Sequence, residues 1–382
     1  MPDFPALLAG TLSIEKRTRI NLLCPITGSR IPLTPAELAF VATLGPGQWH
    51  DTRALIGSGF LDEDAVESLV ERTILVSDRD TAPEAALRER EAQLEAVGWH
   101  PLAAVYHGVT RWQGIVGDEG SREHNDAAEQ ARLSAHAAEH GPLPPHFPRS
   151  EGVLSRRELP IEPLDDAFAR VLRGRRTTRH FDSARPLPLA DFNRVLYGTF
   201  GALGTQELAP GMVAIKRTSA SGGALHPIEA YPLVIDVEGL APGFYHYESG
   251  GHALDLLKPI SKADARALAS ALTIGQTYFA DAHVLVFHVA RLDRHHWKYR
   301  RHPKAYKAVL LDSGHLSQTF YLLAAERGLG AFYTAAINDA DVGKALDLDP
   351  LAQITIGANG LGLIDPSLGT LHLQAEPWLP TR

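Results

Sequence analysis

The stretch "KRTSASGGALHPIEAYPLVID", residues 216–236, joins a Ser- and Gly-rich turn directly to a run of apolar residues. The segment "EAYPLVIDV" has the length and composition of a buried strand. In front of it, the hydroxyls of Ser219 and Ser221 and the backbone N–H groups of Gly222 and Gly223 could bind an anion or a heteroaromatic edge. Taken alone, however, the stretch is better explained as a tight turn that uses Ser and Gly for their conformation.

Helix and strand patterns alternate after this stretch. "GFYHYESGGHALDLL" predicts a hairpin, and "AHVLVFHVAR", "AFYTAAI" and "AQITIGANGLG" predict further strands. "SKADARALASALTI" predicts a helix with Ser261 as N-cap, "LLDSGHLSQTFYLLAAERGLG" a helix that ends at Gly328, and "NDADVGKALDL" a capped helix. We therefore expect an α+β domain, with a mixed or antiparallel sheet flanked by helices.

Composition and charge limit the classes of protein. The chain has 382 residues, of which 45% are apolar and 21% are charged, as in globular proteins of the cytoplasm. We expect no membrane partner, because no apolar run approaches the roughly 20 residues that span a bilayer and the N-terminus lacks a signal-peptide pattern. The single cysteine, Cys24, cannot form an internal disulfide, and a formal charge of -8 argues against nucleic acid as a partner.

Residues 1–95 predict a small module. "TLSIEKRTRINLL" indicates a strand, and "LTPAELAFVATL" a helix with Thr34 as N-cap and Glu37 completing a capping box. "DTRALIGSGFLDEDAVESLVERTILVSD" then predicts two short helices and a strand, an order compatible with a winged-helix-like fold. Such folds often bind DNA, but residues 1–95 hold nine Lys and Arg against fifteen Asp and Glu. We therefore expect this module to dock a peptide or a partner protein.

A proline cluster sets the boundary of the second domain. "GPLPPHFPRS", residues 141–150, cannot continue a helix and predicts an extended segment. Residues 96–150 are thus expected to be a helical and proline-rich connector. Residues 151–382 would then form the α+β domain.

A basic cluster, "RGRRTTRHFD" at residues 173–182, places Arg175, Arg176 and Arg179 around two threonine hydroxyls. Guanidinium groups and hydroxyls together suit a phosphate or a ribityl chain. An exposed basic turn after a helix explains so short a pattern equally well.

Five segments of the sequence, taken together in their order along the chain, identify a protein family far more specifically than any one of them. They are "RRTTRHFD", "LYGTFGALG", "SASGGALHPIEAY", "KYRRHPKAYKAVLLDSGHLSQTFYLLAAERGLG" and "IGANGLG". In this order they resemble the FMN-dependent nitroreductase superfamily, and within it the SagB-type peptide-modifying dehydrogenases, over roughly residues 160–365. The aromatic stretch "WHPLAAVYHGVTR" and the small N-terminal module are also similar to that subfamily.

The resemblance implies that FMN is bound without a covalent bond at the interface of a homodimer. By this resemblance, Arg175, Thr177 and Arg179 contact the phosphate, the ribityl chain and the pyrimidine edge, with Thr177 where serine is usual. The remaining contacts to the cofactor are expected from the Ser- and Gly-rich stretch and from the strand "AFYTAAI", namely Ser219, Ser221, Gly222, Gly223 and Thr334. The family often has a Tyr-Pro pair where this chain has Ala358-Asn359.

Lys298 and Tyr299 match the Lys-Tyr pair of the azoline dehydrogenases in this subfamily. Oxidation of a thiazoline or oxazoline to the azole requires transfer of a hydride to flavin and removal of a ring proton. A desolvated lysine can accept that proton, and a tyrosine can position or relay it. The alternative is a solvated basic run on a helix flank, from Lys298 to Lys307.

Several functions remain open at this point. The resemblance implies oxidation of azolines in a ribosomally synthesised precursor peptide, beside a partner maturation enzyme such as a cyclodehydratase or a dehydratase. The same hydride chemistry could instead reduce dehydroamino acids in a peptide, or nitro compounds and quinones at the expense of NAD(P)H. A peptide- or DNA-binding protein on a degenerate scaffold is the non-enzymatic alternative.

Two further site types are not supported by the sequence. "GTFGALG" and "GANGLG" lack the spacing and the acidic residue of a dinucleotide-binding loop. We also expect no metal site, because the histidines lack the helical i, i+4 pair of a zinc hydrolase. These histidines are His295, His296, His302 and His315.

Overall fold

The structure is a computed structural model that describes residues 20–45, 48–57, 59, 61–117, 127–147, 150–160 and 165–367. The described chain forms two compact units. One holds the residues up to Arg111 together with Arg300–Pro303, and the other holds Trp112–Tyr299 and the residues from Lys304 onward. The first part of the predicted strand "TLSIEKRTRINLL" lies outside the described residues.

The first unit combines a two-stranded antiparallel sheet with helices. Strand β1 (Ile20–Leu23) pairs with β2 (Arg30–Leu33), and helix α1 (Pro35–Val41) follows. The predicted capping box is confirmed, since the Thr34 side chain accepts from the Glu37 N–H at 3.2 Å and the Glu37 carboxylate accepts from the Thr34 N–H at 2.6 Å. The later helices are α2 (Thr52–Gly57), α3 (Glu63–Glu71), α4 (Ala82–Val97) and α5 (Pro101–Thr110).

The strand predicted after α3 does not form. The backbone N–H groups of Ile74 and Leu75 both donate to the carbonyl of Leu69, at 2.9 and 3.1 Å, and so close the end of the helix. Donors used in this way are not available for a strand ladder. The assignment of residues 1–95 as a winged-helix-like docking module stays a prediction.

The second unit is built on a six-stranded antiparallel sheet in the order β7-β6-β5-β8-β10-β9. The strands predicted from the sequence are present and extend over β5 (Ile228–Val234), β6 (Gly243–Glu248), β7 (Ala253–Pro259), β8 (Val284–Arg291), β9 (Gly330–Thr334) and β10 (Gln353–Gly362). β8 is central and buried on both faces except at Arg291, which explains its continuous apolar run. The predicted α+β fold with an antiparallel sheet is confirmed.

The described part of this unit also contains helices. They are α6 (Ala127–His140), α7 (Ala167–Gly174), α8 (Leu189–Phe200), α9 (Lys262–Leu272), α10 (Leu292–Tyr299), α11 (Ala305–Glu326) and α12 (Asp339–Ala345). Ser261 caps α9 as predicted, by accepting from the Asp264 N–H at 3.1 Å. The long helix α11 ends where Gly328 adopts a φ of 69°, also as predicted.

Two local features differ from the sequence prediction. A two-stranded antiparallel ribbon, β3 (Gly204–Ala209) and β4 (Met212–Lys216), was not predicted at all. Helix α12 forms, but the Asn338 side chain does not cap it. Instead, the Asn338 amide oxygen accepts from the Ile115 N–H at 2.9 Å, and the amide nitrogen donates to the carbonyl of the same residue at 2.9 Å.

The core of the second unit contains a histidine whose charge state depends on folding. His288 on β8 is 0% exposed, and its Nδ1 lies 2.8 Å from the Ser313 hydroxyl oxygen. Burial disfavours the charged imidazolium and lowers the pKa of His288 from 6.5 to about 4.

We predict that the protein loses stability as the pH falls from about 6.5 to about 4. In this range the unfolded chain binds a proton that folded His288 does not, so the free energy of unfolding decreases by about 3 kcal/mol from this residue. Urea unfolding at a series of pH values measures the slope. His288→Gln should unfold with a shallower slope than the unsubstituted protein; equal slopes would show that His288 does not contribute.

Candidate active site

The Ser- and Gly-rich stretch forms a loop in an unusual backbone conformation. Gly223, Ala224 and His226 have φ angles of 65°, 58° and 47°, in the left-handed region. This conformation is unfavourable for residues other than glycine, so two of the three residues need support from their surroundings.

Asp312 on helix α11 supplies that support. Its side chain accepts a hydrogen bond from the Ser221 hydroxyl and another from the Gly222 N–H at 3.0 Å. The Ser221 oxygen in turn accepts from the His226 N–H at 2.9 Å. Asp312 is 3% exposed, so these bonds are shielded from water and hold the loop in one conformation.

The residues just before this loop are also fixed. Arg217 donates to the carbonyl of Ile228 at 3.0 Å, and the hydroxyl of Ser219 lies 2.7 Å from that of Thr319 on α11. The hydroxyls of Ser219 and Ser221, both predicted to contact a cofactor, therefore bond to helix α11 in the protein chain itself.

Lys298 and Tyr299, at the end of α10, lie against the loop. A Cβ atom on Gly223 would stand 2.5 Å from the Tyr299 hydroxyl oxygen and 3.0 Å from Lys298 Nζ. Both predicted catalytic groups thus meet one of the predicted cofactor-binding residues, at a position where only glycine leaves room. The Lys298 side chain is exposed in the chain alone.

A cavity of about 580 Å³ opens beside Lys298 and Gly223. Its walls come from the loop, from helix α10 and from the β3–β4 ribbon, which contributes Leu208, Met212 and Val213. This volume falls in the range of small-ligand sites, roughly 300–1,000 Å³.

The predicted phosphate-binding residues form a separate group next to β9. Thr177 pairs as an isolated bridge with Ala331, and its hydroxyl oxygen lies 3.3 Å from that of Tyr321 on α11. The guanidinium carbon of Arg175 lies 5.4 Å from the centre of the Tyr321 ring, and that of Arg179 lies 5.8 Å from the centre of the Tyr278 ring.

The charges of this group fit an anionic ligand. Among the described residues, neither Arg175 nor Arg179 forms an ion pair with a carboxylate. The side chains of Arg175, Thr177 and Arg179 are half-buried. The hydroxyl of Thr178, in the same segment, is buried without a hydrogen-bond partner among the described residues. Two cations beside aromatic rings, together with hydroxyls, can bind the phosphate and ribityl chain of FMN.

At the end of β9, the polar side chains of Thr334 and of the nearby Asn359 form hydrogen bonds within the protein chain. The Thr334 hydroxyl accepts from the Ala336 N–H at 2.9 Å. Asn359 on the neighbouring strand β10 is buried and donates to the carbonyl of Phe332 at 3.0 Å and to the Ser317 hydroxyl at 3.2 Å. The Asn359 carboxamide therefore joins β10, β9 and α11.

Within the described ranges there is no group of three or more His, Cys, Asp or Glu side chains that could hold a metal ion. The helices of the described chain include none with the length and apolar character needed to cross a membrane.

Comparison with known proteins agrees with this fold. Residues 172–362 match the Nitroreductase family, which is half of the chain. The protein belongs to this family. The match includes the loop, α10, α11 and β9, so the site described above lies within the family domain.

Two relatives are processing proteins for modified peptides. The trifolitoxin-processing protein TfxB of Rhizobium leguminosarum bv. trifolii is 31% identical over 146 residues, which cover 38% of this chain and 39% of the relative. The microcin B17-processing protein McbC of Escherichia coli is 28% identical over 151 residues, which cover 37% of this chain and 52% of the relative. The matches thus span about half or less of the length of either relative.

Among solved structures, the microcin synthetase McbBCD complex of E. coli with truncated pro-MccB17 bound is similar to this chain. The similarity has a TM-score of 0.48 at 20% sequence identity and covers 71% of this chain and 94% of the matched chain.

We predict that Gly223→Ala destabilises the protein by at least about 1 kcal/mol, because alanine is strained at positive φ and its Cβ would meet Tyr299 and Lys298. Gly222→Ala is the matched control, since a Cβ there would meet only Ala308 at 3.5 Å and Asp312 at 4.0 Å. Thermal unfolding compares the two variants. Equal stabilities would contradict the proposed close approach at Gly223.

We predict that Asp312→Asn costs about 1–3 kcal/mol of stability, because the new amide group cannot accept both hydrogen bonds and leaves a buried donor unsatisfied. Amide hydrogen exchange at Gly222 should become faster in this variant. Asp255→Asn, at an exposed side chain on β7, should stay within about 0.5 kcal/mol of the unsubstituted protein. Unchanged exchange at Gly222 would refute the role of Asp312.

Proposed function

We propose that this protein is an FMN-dependent dehydrogenase that oxidises thiazoline or oxazoline rings to azoles in a ribosomally synthesised peptide. The observation that carries the proposal is the convergence of Lys298 and Tyr299 on Gly223, beside a cavity of ligand size. A base and a hydroxyl are thereby placed next to the loop that is expected to contact the cofactor.

The relatives support a peptide as substrate. Two of them are named for the processing of trifolitoxin and microcin B17. Because the matches span only part of each relative, the peptide substrate and any partner maturation enzyme are part of our proposal for this chain. Residues 1–95 would dock the precursor peptide or that partner enzyme.

The proposed cofactor contacts fall into two groups in the chain. Arg175, Thr177 and Arg179 would hold the phosphate and ribityl chain, with Thr334 on the neighbouring strand β9. The other group lies in the Ser- and Gly-rich stretch that is hydrogen-bonded to α11, and consists of Ser219, Ser221, Gly222 and Gly223. We propose that the protein is a homodimer in which both groups take part in binding each FMN.

Bound FMN would supply the two-electron hydride acceptor for the reaction. The azoline ring must also lose a proton, and the Lys298 amine would take it. Since Lys298 is exposed in the chain alone, bound substrate and cofactor would have to desolvate it before it can act as a base. Tyr299, whose hydroxyl approaches the same point, would orient the lysine or relay the proton.

We predict that Lys298→Ala lowers the rate of azoline oxidation by about a hundredfold or more while flavin stays bound, because the ring proton then has no acceptor. The assay follows the mass of a thiazoline peptide, which decreases by about 2 Da when two hydrogens leave. The visible absorbance of the flavin reports binding of the cofactor. Lys344→Ala, on the surface of α12, is the control and should keep full activity.

The same measurement separates the alternatives. A gain of about 2 Da on a dehydrated peptide, with no oxidation of the thiazoline, would favour reduction of dehydroamino acids. Unchanged oxidation by Lys298→Ala would remove the lysine from the mechanism. A colourless protein that binds no flavin would contradict the proposal altogether.

A further inference from the structure

Part of the wall of the cavity beside Lys298 is apolar and open to water. Four large apolar side chains line it and remain exposed: Leu208 (61%), Met212 (40%), Val213 (53%) and Trp297 (64%). Contiguous exposed apolar side chains commonly mark a binding site. We call the surface formed by these four residues the ribbon groove.

The backbone of the groove suits an extended peptide. In the part of the chain that the structure describes, β3 and β4 form a sheet of only two strands, so each strand keeps one edge that does not pair with another strand. An extended peptide can add to such an edge through main-chain hydrogen bonds. Its alternate side chains would then point toward the apolar walls.

The charges around the cavity indicate which peptides fit. Arg291, Asp293, Arg294 and Lys298 line it, so three cations face one carboxylate. Arg291 is already paired with Asp293 at 3.0 Å and with Glu229 at 3.4 Å, whereas Arg294 donates to the carbonyl of Leu225. A basic residue of the substrate would meet like charge here.

We propose that the ribbon groove binds an extended segment of the peptide substrate, with apolar side chains next to the reacting ring and without basic residues. This inference rests on the proposed function, because it assigns the substrate's flanking residues at the same site. The Lys298 amine lines the same cavity, so a ring that follows an apolar residue in the groove would lie within its reach.

The first test compares three short fluorescein-labelled peptides that carry one thiazoline ring flanked by leucine, by glycine or by lysine. Fluorescence anisotropy with the flavin-loaded protein gives their dissociation constants. We expect the leucine peptide to bind about tenfold more tightly than the glycine peptide, through burial of its side chains, and the lysine peptide to bind most weakly. Equal binding of all three peptides would overturn the proposal.

The second test changes the groove itself. Val213→Ser should weaken binding of the leucine peptide by about fivefold and leave the glycine peptide unchanged, because only the former loses an apolar contact. Val153→Ser is the matched control, since Val153 is 59% exposed and is not among the residues that line the groove. Unchanged affinity in Val213→Ser would overturn the proposal. Light scattering gives the oligomeric state of Val213→Ser. If that state changes while the affinity for the leucine peptide does not, a second copy of the chain covers the groove and the proposal is wrong.

Binding and oxidation are measured separately, so the two proposals can fail independently. If the leucine peptide binds with the expected preference but shows no loss of mass, the proposed binding to the ribbon groove is supported and the proposed oxidation is wrong. If all three peptides are oxidised and bind with equal affinity, the proposed oxidation is supported and the proposed binding to the ribbon groove is wrong.

Discussion

The carboxylate of Asp312 is the contact on which the candidate active site depends. It fixes Ser221 and Gly222 from within the protein, and through them a loop with three left-handed positions in the space of four residues. Without that loop, Gly223 would not lie against Lys298 and Tyr299 at the end of α10. The strained backbone is thus held by a buried hydrogen-bonded carboxylate on the longest helix of the unit.

Helix α11 contacts both the Ser- and Gly-rich loop and the residues proposed to bind phosphate. Asp312 and Thr319 hold the Ser- and Gly-rich stretch, whereas Tyr321 contacts Thr177 and Arg175 near β9. One helix therefore contacts members of both groups of residues that we propose for the cofactor. Its buried side chains also pack on the sheet, so the site is built on a rigid element.

The sequence predicted those parts of the fold in which local pattern and tertiary packing agree. Strands β5 and β8 are rich in apolar residues because they are buried, and Thr34 and Ser261 act as caps because the cap is a local interaction. The ribbon β3–β4 was not predicted because most of its residues are exposed and β3 carries the polar residues Thr205, Gln206 and Glu207 in succession. Ile74 to Val76 have the composition of a strand, but the N–H groups of Ile74 and Leu75 bond to the end of helix α3. The role of Asp312 could not be read from the sequence, since its partner Ser221 lies 91 residues away.

The most direct test of the account is a single turnover without oxygen. Flavin-loaded protein is mixed rapidly with a thiazoline peptide, and the visible absorbance of the flavin is followed together with formation of the thiazole. If the flavin takes the hydride and Lys298 the proton, the flavin loses its absorbance as the thiazole forms, one ring for each flavin, and Lys298→Ala slows both changes equally. A flavin that keeps its colour with the peptide but is bleached at once by NAD(P)H would contradict the account and identify a small-molecule reductase.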